Sequence, residues 1–409
     1  MHPDRSALVD LRLVTWPLGF AALAEGAAWV LLARADGLLS GAWFGHLDLL
    51  MATHLITLGV LGAAIQAAGW QLVPVVTARP PSSAWSRVAW VCNALLLLGL
   101  LALLPGLRRG GALLFIGAAA AIGGLSLRMV VVVMALLRAQ GRGLTRAWLL
   151  AAEGALASGL GFAGALVAAR AGHGVLSDHL LGVGRHASLL LGGWVGGWIV
   201  GLGGVLLPMF AVAPEPRRAL HGLAWLLWFS GLALGRPTLW ALGAAVAAAG
   251  LLDSLRRRVR RGPEVGVVGA AMGLVGLLAV AVLVGARGMG PAAVALGLTG
   301  WALPFLRGVA LRVVPFLSWV HRFGEHPRRA PPVASLLSPA LPGLAVLGSA
   351  GAGVGVAAAL GSGDPVLLRA AGALGVLGAL CFAITLLIVR LRCRLAALRE
   401  GGVAGMEAS

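Results

Sequence analysis

Two histidines in this chain open helix-length apolar segments that end alike. His54-Leu-Ile-Thr-Leu-Gly runs on to Leu72-Val73-Pro74, and His186-Ala-Ser-Leu-Leu-Leu-Gly runs on to Leu206-Leu207-Pro208. A third segment ends in Val313-Val314-Pro315 but carries no histidine at the matching place, near Ala293 or Ala295. An imidazole is costly in a hydrocarbon layer and usually binds something there. The chemistry on offer is therefore metal ligation, with interhelical hydrogen bonding as the plainer use of each ring. His46, His173 and His179 fall in the connections that flank the two segments. His179 and His186 are seven apart and share a helical face if the helix reaches that far back. A copper or zinc ion held by His54, His186 and a loop histidine, His46 or His179, needs the fewest parts.

A second set of polar residues lies deep in apolar segments: Glu25, Arg128, Glu153 and Arg307, with Gln66 beside them. Lone charges at such depth are expensive, so they are expected to pair. Arg128 and Glu153 sit on consecutive antiparallel segments at similar depth and suit each other. The sharper use is a proton or anion path, with Glu25 and Glu153 as carriers and Arg307 as an electrostatic gate. Pro304 frees a backbone carbonyl one turn before Arg307. Trp194 and Trp198 share a face and read as packing or interfacial anchors.

The elements that position these residues are membrane helices. Hydrophobic residues make up 59% of the chain and charged residues only 11%. Soluble domains carry about 25% charged residues. The apolar runs give twelve spans, roughly 13–33, 50–75, 87–106, 111–137, 146–169, 184–211, 218–235, 237–253, 265–286, 290–320, 337–360 and 365–390. Only Gly235-Arg236-Pro237 separates the seventh from the eighth. No soluble domain of about 100 residues fits anywhere. The opening Met-His-Pro-Asp-Arg is too polar for a signal peptide. Cys92, Cys381 and Cys393 have no disulfide or metal spacing.

The net charge of +18 comes from 32 arginines without a single lysine, most of them between spans. With the N-terminus inside, the inner segments hold 21 and the outer ones eight. The positive-inside rule then puts both termini in the cytoplasm and both histidines near the outer face. This charge is an orientation signal, not a nucleic-acid footprint. The three proline endings, 134 and 107 residues apart, divide the chain into three four-helix units. These are 1–80 with 337–393, 81–213 and 214–322, and 394–409 is a short cytoplasmic tail.

The run from His54 through Gly69-Trp70-Gln71-Leu72-Val73-Pro74-Val75 resembles the second helix of the heme-copper oxidase main subunit. Its sixth-span counterpart, His186 through Gly193-Trp194 to Leu206-Leu207-Pro208-Met209-Phe210, is similar to histidine-to-proline helices of the same superfamily. The chain is also similar to the NnrS-type heme- and copper-associated membrane proteins of bacterial nitric oxide metabolism. Val313-Val314-Pro315-Phe316-Leu317, followed by Trp319 and His321, looks like a third motif of that group. The resemblance covers the whole chain in topology but only about 60 residues in motif. It implies an all-α membrane protein with twelve helices in three pseudo-symmetric groups of four. It also implies heme b or copper near the outer face, with His54 and His186 as ligands, in a bacterial cytoplasmic membrane.

The departures from that family exclude a complete oxidase. Only His54 matches a heme-ligand position, and His186 matches the helix that supplies a copper ligand. The double histidine of the seventh span is missing, where the chain reads His221-Gly-Leu-Ala-Trp. There is no tyrosine for the family's active site and no lysine for a lysine-type proton channel. The expected role is therefore redox, nitric-oxide-related or metal handling, with redox partner subunits, rather than oxygen reduction. The alternatives are a proton-coupled secondary transporter using Glu25 or Glu153, and a non-catalytic assembly or partner subunit.

Overall fold

The computed structural model describes residues 9–35, 46–82, 84–139, 143–174, 178–259, 262, 264–324 and 330–406. The inner-loop arginines Arg5, Arg142, Arg260, Arg261, Arg328 and Arg329, and His326, lie outside the described residues. Each of the twelve apolar runs forms a helix, and no strand occurs among the described residues. In chain order they are α1 (Arg12–Ala33), α2 (Leu47–Thr77), α3 (Trp85–Arg109), α4 (Gly111–Leu137), α5 (Gly143–Arg170) and α6 (His179–Ala211). There follow α7 (Arg218–Leu234), α8 (Pro237–Arg256), α9 (Val265–Arg287), α10 (Pro291–Phe323), α11 (Ala340–Ser362) and α12 (Pro365–Met406).

Eleven of these are long and apolar enough to cross a membrane. The exception, α7, has 17 residues. The sequence leaves little room between α7 and α8, and Gly235 in the left-handed region makes the turn. The last helix continues to Met406, so most of the expected tail at 394–409 is a helical extension of α12.

The three helices with proline endings are the most buried. In their apolar stretches 67% of residues are buried in α2, 78% in α6 and 72% in α10, against at most 56% in the other long helices. Each contains a stretch of wider π-type turns, at 55–62 in α2, 188–195 in α6 and 297–302 in α10. The wide turns of α2 touch those of both α6 and α10. Such turns are uncommon and concentrate at functional sites.

The proline endings have a shared capping role in α2 and α6. Ala78 and Val212 adopt left-handed backbone four residues after Pro74 and Pro208 (φ 52° and 51°). The amide of Arg79 then donates to the Pro74 carbonyl at 3.1 Å, and that of Ala213 to the Pro208 carbonyl at 2.9 Å. This is a Schellman-type cap, here built without glycine. In α10 the helix instead runs past Pro315 to Phe323.

The other helices pack around these three. α3 pairs most closely with α4, α7 with α8, and α11 with α12. α5 packs on α6, α9 on α10, and α1 on α2.

Candidate functional site: a histidine-lined cavity

The helices carrying the histidines begin earlier than the apolar runs indicate. Asp178 caps α6 by accepting from the Leu181 amide at 3.0 Å. His54 is thereby the eighth residue of α2, not about the fourth, and His186 the eighth of α6 rather than its beginning. At ~1.5 Å per residue, each lies about 10 Å into its helix.

Both histidines line one cavity of about 190 Å³, bounded by α2, α3, α4, α5 and α6. One buried water needs roughly 10–15 Å³ by the same kind of measure, so this space holds far more than a water. Its walls are mainly leucines from α3, α4 and α5, and its polar lining is His54, Thr57, Arg170, His179 and His186.

Each imidazole is fixed by one backbone carbonyl. His54 Nδ1 lies 2.8 Å from the Leu50 carbonyl, one turn back on its own helix. His186 Nδ1 lies 3.1 Å from the Gly159 carbonyl of α5. A carbonyl only accepts, so Nδ1 carries the proton in both rings, and Nε2 of the neutral ring keeps its lone pair. Gly159 packs close to α6: a Cβ there would come within 2.5 Å of the Leu190 side chain, which would have to shift. Metal-ligating histidines are oriented by the same kind of Nδ1 contact.

The remaining histidines divide. His179, an exposed residue at the start of α6, also lines the cavity. His46 is at the N-terminal cap of α2, outside the lining, and its Nδ1 is buried without a partner. His173 is exposed and does not line it either. Among the described residues no three histidine, cysteine or acidic side chains come close enough to hold a metal ion.

Beneath the cavity lies a buried ion pair. Arg128 of α4 donates to Glu153 of α5 at 2.7 Å, as the sequence suggests, and both side chains are fully buried. Trp198 Nε1 donates to the same carboxylate oxygen at 2.7 Å. The Arg128 guanidinium lies over the Trp198 ring, 4.4 Å from its centroid, and 5.9 Å from that of Trp194. Trp194 lines the cavity on its other side. The two tryptophans are thus core residues of a charge centre, not interfacial anchors.

A second pair was not foreseen from spacing. Arg307 of α10 donates to Glu25 of α1 and to the Ala345 carbonyl of α11, both at 2.5 Å. Trp29 Nε1 donates to the same Glu25 oxygen at 3.2 Å. Gly378 of α12 makes room, because a Cβ there would approach Arg307 Nη1 to 2.5 Å. The signal available in the sequence was only that each unpaired charge needed a partner.

The space between α6, α8, α9 and α10 is nearly filled. Trp240 and Trp301 line a residual void of about 10 Å³, and Trp228 packs edge-on to both. Tryptophans thus take up the room that histidines face beside α2.

No protein-family model matches this chain, and no curated protein matches it either.

Proposed function

We infer that the chain is a multi-pass membrane protein on the heme-copper oxidase subunit I plan, lacking the oxygen-reducing centre, that binds heme b through His54 and His186. The reading includes twelve spans in three pseudo-symmetric units, both termini in the cytoplasm and the cavity near the outer face of a bacterial cytoplasmic membrane. Its role would be redox or nitric-oxide-related, with copper handling as the variant. The repeated order of a hairpin, a third helix and a central proline-ended helix supports the three units.

The observation that carries the ligand assignment is the pair of imidazoles. Both line one apolar cavity, both are protonated at Nδ1, and both retain an Nε2 lone pair. This donor set would suit an iron porphyrin, with His54 and His186 as the side chains that hold it. Copper would need a further ligand beside the two histidines, which His179 on the cavity wall could offer. A heme held there would supply one-electron transfer. The chain's own part is to orient the imidazoles through Leu50 and Gly159 and to exclude water with leucine walls. Arg170 is the cation on the cavity wall, with Nη2 donating to the Leu107 carbonyl at 2.7 Å. Trp194 separates the cavity from the Arg128–Glu153 charges.

The transporter reading draws less support. Protonating Glu25 or Glu153 would strip Arg307 or Arg128 of the carboxylate charge it pairs with in a buried site. An absorption spectrum of the purified protein decides among the classes. A Soret band with a reduced α-band supports heme. Bound copper without those bands supports metal handling. Neither favours transport or assembly and overturns this reading.

A further inference from the structure

A second, larger hollow of about 580 Å³ opens sideways between α1 and α3, with α2 as its floor. It adjoins the histidine cavity at Leu58 but differs from it in chemistry. Its long walls are apolar, with Phe20 and Leu23 on one side and Leu96 and Leu97 on the other. Trp16 and Trp90 flank its arginine-rich end and are 64% and 37% exposed. Exposed tryptophans of this kind mark the headgroup level of a bilayer.

Two polar groups turn this hollow into a graded site. Arg390 of α12 closes one end and donates to the Thr15 hydroxyl, and no carboxylate pairs with it among the described residues. Asn93 lies further along, and both its amide nitrogen and its amide oxygen are buried without a partner. Thr15 is the fourth residue of α1 and Asn93 the ninth of α3, helices that both start from the arginine-rich side. Counted at ~1.5 Å per residue, Asn93 lies about 7 Å deeper than Thr15. The order inward is thus cation, then unsatisfied amide, then continuous hydrocarbon.

We propose that this hollow is a binding site for one anionic diacyl phospholipid of the arginine-rich leaflet. The phosphate sits against Arg390 and Thr15. The Asn93 amide donates to an ester carbonyl of the glycerol linkage. An acyl chain runs along Phe20, Leu23 and Leu97. An unpaired arginine at the head selects negative charge, and the amide selects an acceptor at the depth of the esters. A free phosphate would satisfy Arg390 but leave Asn93 and the apolar walls uncovered.

Native mass spectrometry of the detergent-purified full chain tests this, with phosphatidylglycerol and phosphatidylethanolamine offered in equal amounts. One phosphatidylglycerol should be retained, at least tenfold in preference to phosphatidylethanolamine. Arg390→Gln should cut that retention at least tenfold, and Arg394→Gln should leave it unchanged. Leu97→Trp, which fills the hollow while keeping Arg390, should also displace the lipid, and its melting temperature in detergent shows that it folds. Glycerol phosphate at millimolar concentration should not compete. Equal retention of the two lipids, undiminished retention in both Arg390→Gln and Leu97→Trp, or displacement by glycerol phosphate would each overturn the proposal.

Discussion

Glu25 and Arg307 lie 282 positions apart in the chain and meet at 2.5 Å, with both side chains buried. The contact ties the first helix to the tenth, and the second Arg307 donor ties both to α11. A charge pair out of water gains little over a well-packed apolar pair, but half a pair is costly. Glu25→Ala and Arg307→Met should therefore each destabilise the protein by about 3–5 kcal/mol. The double variant Glu25→Met/Arg307→Met should recover much of that loss. Thermal unfolding in detergent of all three measures it, and additive losses would mean that the pair is not the unit of stability.

The Arg128–Glu153 pair has an extra donor in Trp198, which makes a narrower expectation. Trp198→Phe keeps most of the ring beneath the guanidinium but removes the hydrogen bond to the carboxylate. A hydrogen bond to a charged group contributes about 1.5–3 kcal/mol. The variant should lose stability in that range, while Trp16→Phe, at an exposed position in the first turns of α1, should change it by under about 0.5 kcal/mol. A loss of equal size in both would show that tryptophan bulk, not this bond, matters.

Much of this arrangement was legible in the sequence because bilayer helices must be long, apolar and internally hydrogen-bonded. The twelve runs, the Arg128–Glu153 pair and the singling out of His54 and His186 follow from that constraint. Helix starts were less legible, since Asp48 and His179 break the first turns of α2 and α6 and hide the leucines beside them from an apolar run. The Glu25–Arg307 contact joins distant segments and has no local signature. The wide turns at 55–62, 188–195 and 297–302 were missed as well, although each contains glycine. Glycine is common throughout the chain, 62 residues in all, so its presence there distinguishes nothing.

Orientation rests on the arginine count of 21 against eight. Reporter fusions after Ser40 and after Arg79 should fall on opposite sides, with Ser40 outside and Arg79 inside. The same side for both would remove the argument that the cavity faces outward, and reversed sides would place it at the inner face.

The last expectation concerns the cavity itself. His54→Ala and His186→Ala should each shift or weaken the Soret and reduced α-band, because each removes one of the two imidazoles that would hold the heme. The rings are held by different elements, His54 by its own helix and His186 by α5, so the two losses should be independent of each other's fold effects. His46→Ala and His179→Ala should retain the heme bands. His321→Ala should retain them too: its two ring nitrogens already contact the Leu317 and Val9 carbonyls, at 3.0 and 2.7 Å. If copper is the occupant instead, His179→Ala should lower its affinity at least tenfold, since a third ligand must then move in from the cavity rim. The pattern is decided by spectra and metal content of five single variants with matched melting temperatures. Heme bands unchanged in position and intensity in both His54→Ala and His186→Ala would assign the ligands elsewhere and leave this cavity without the chemistry argued for it.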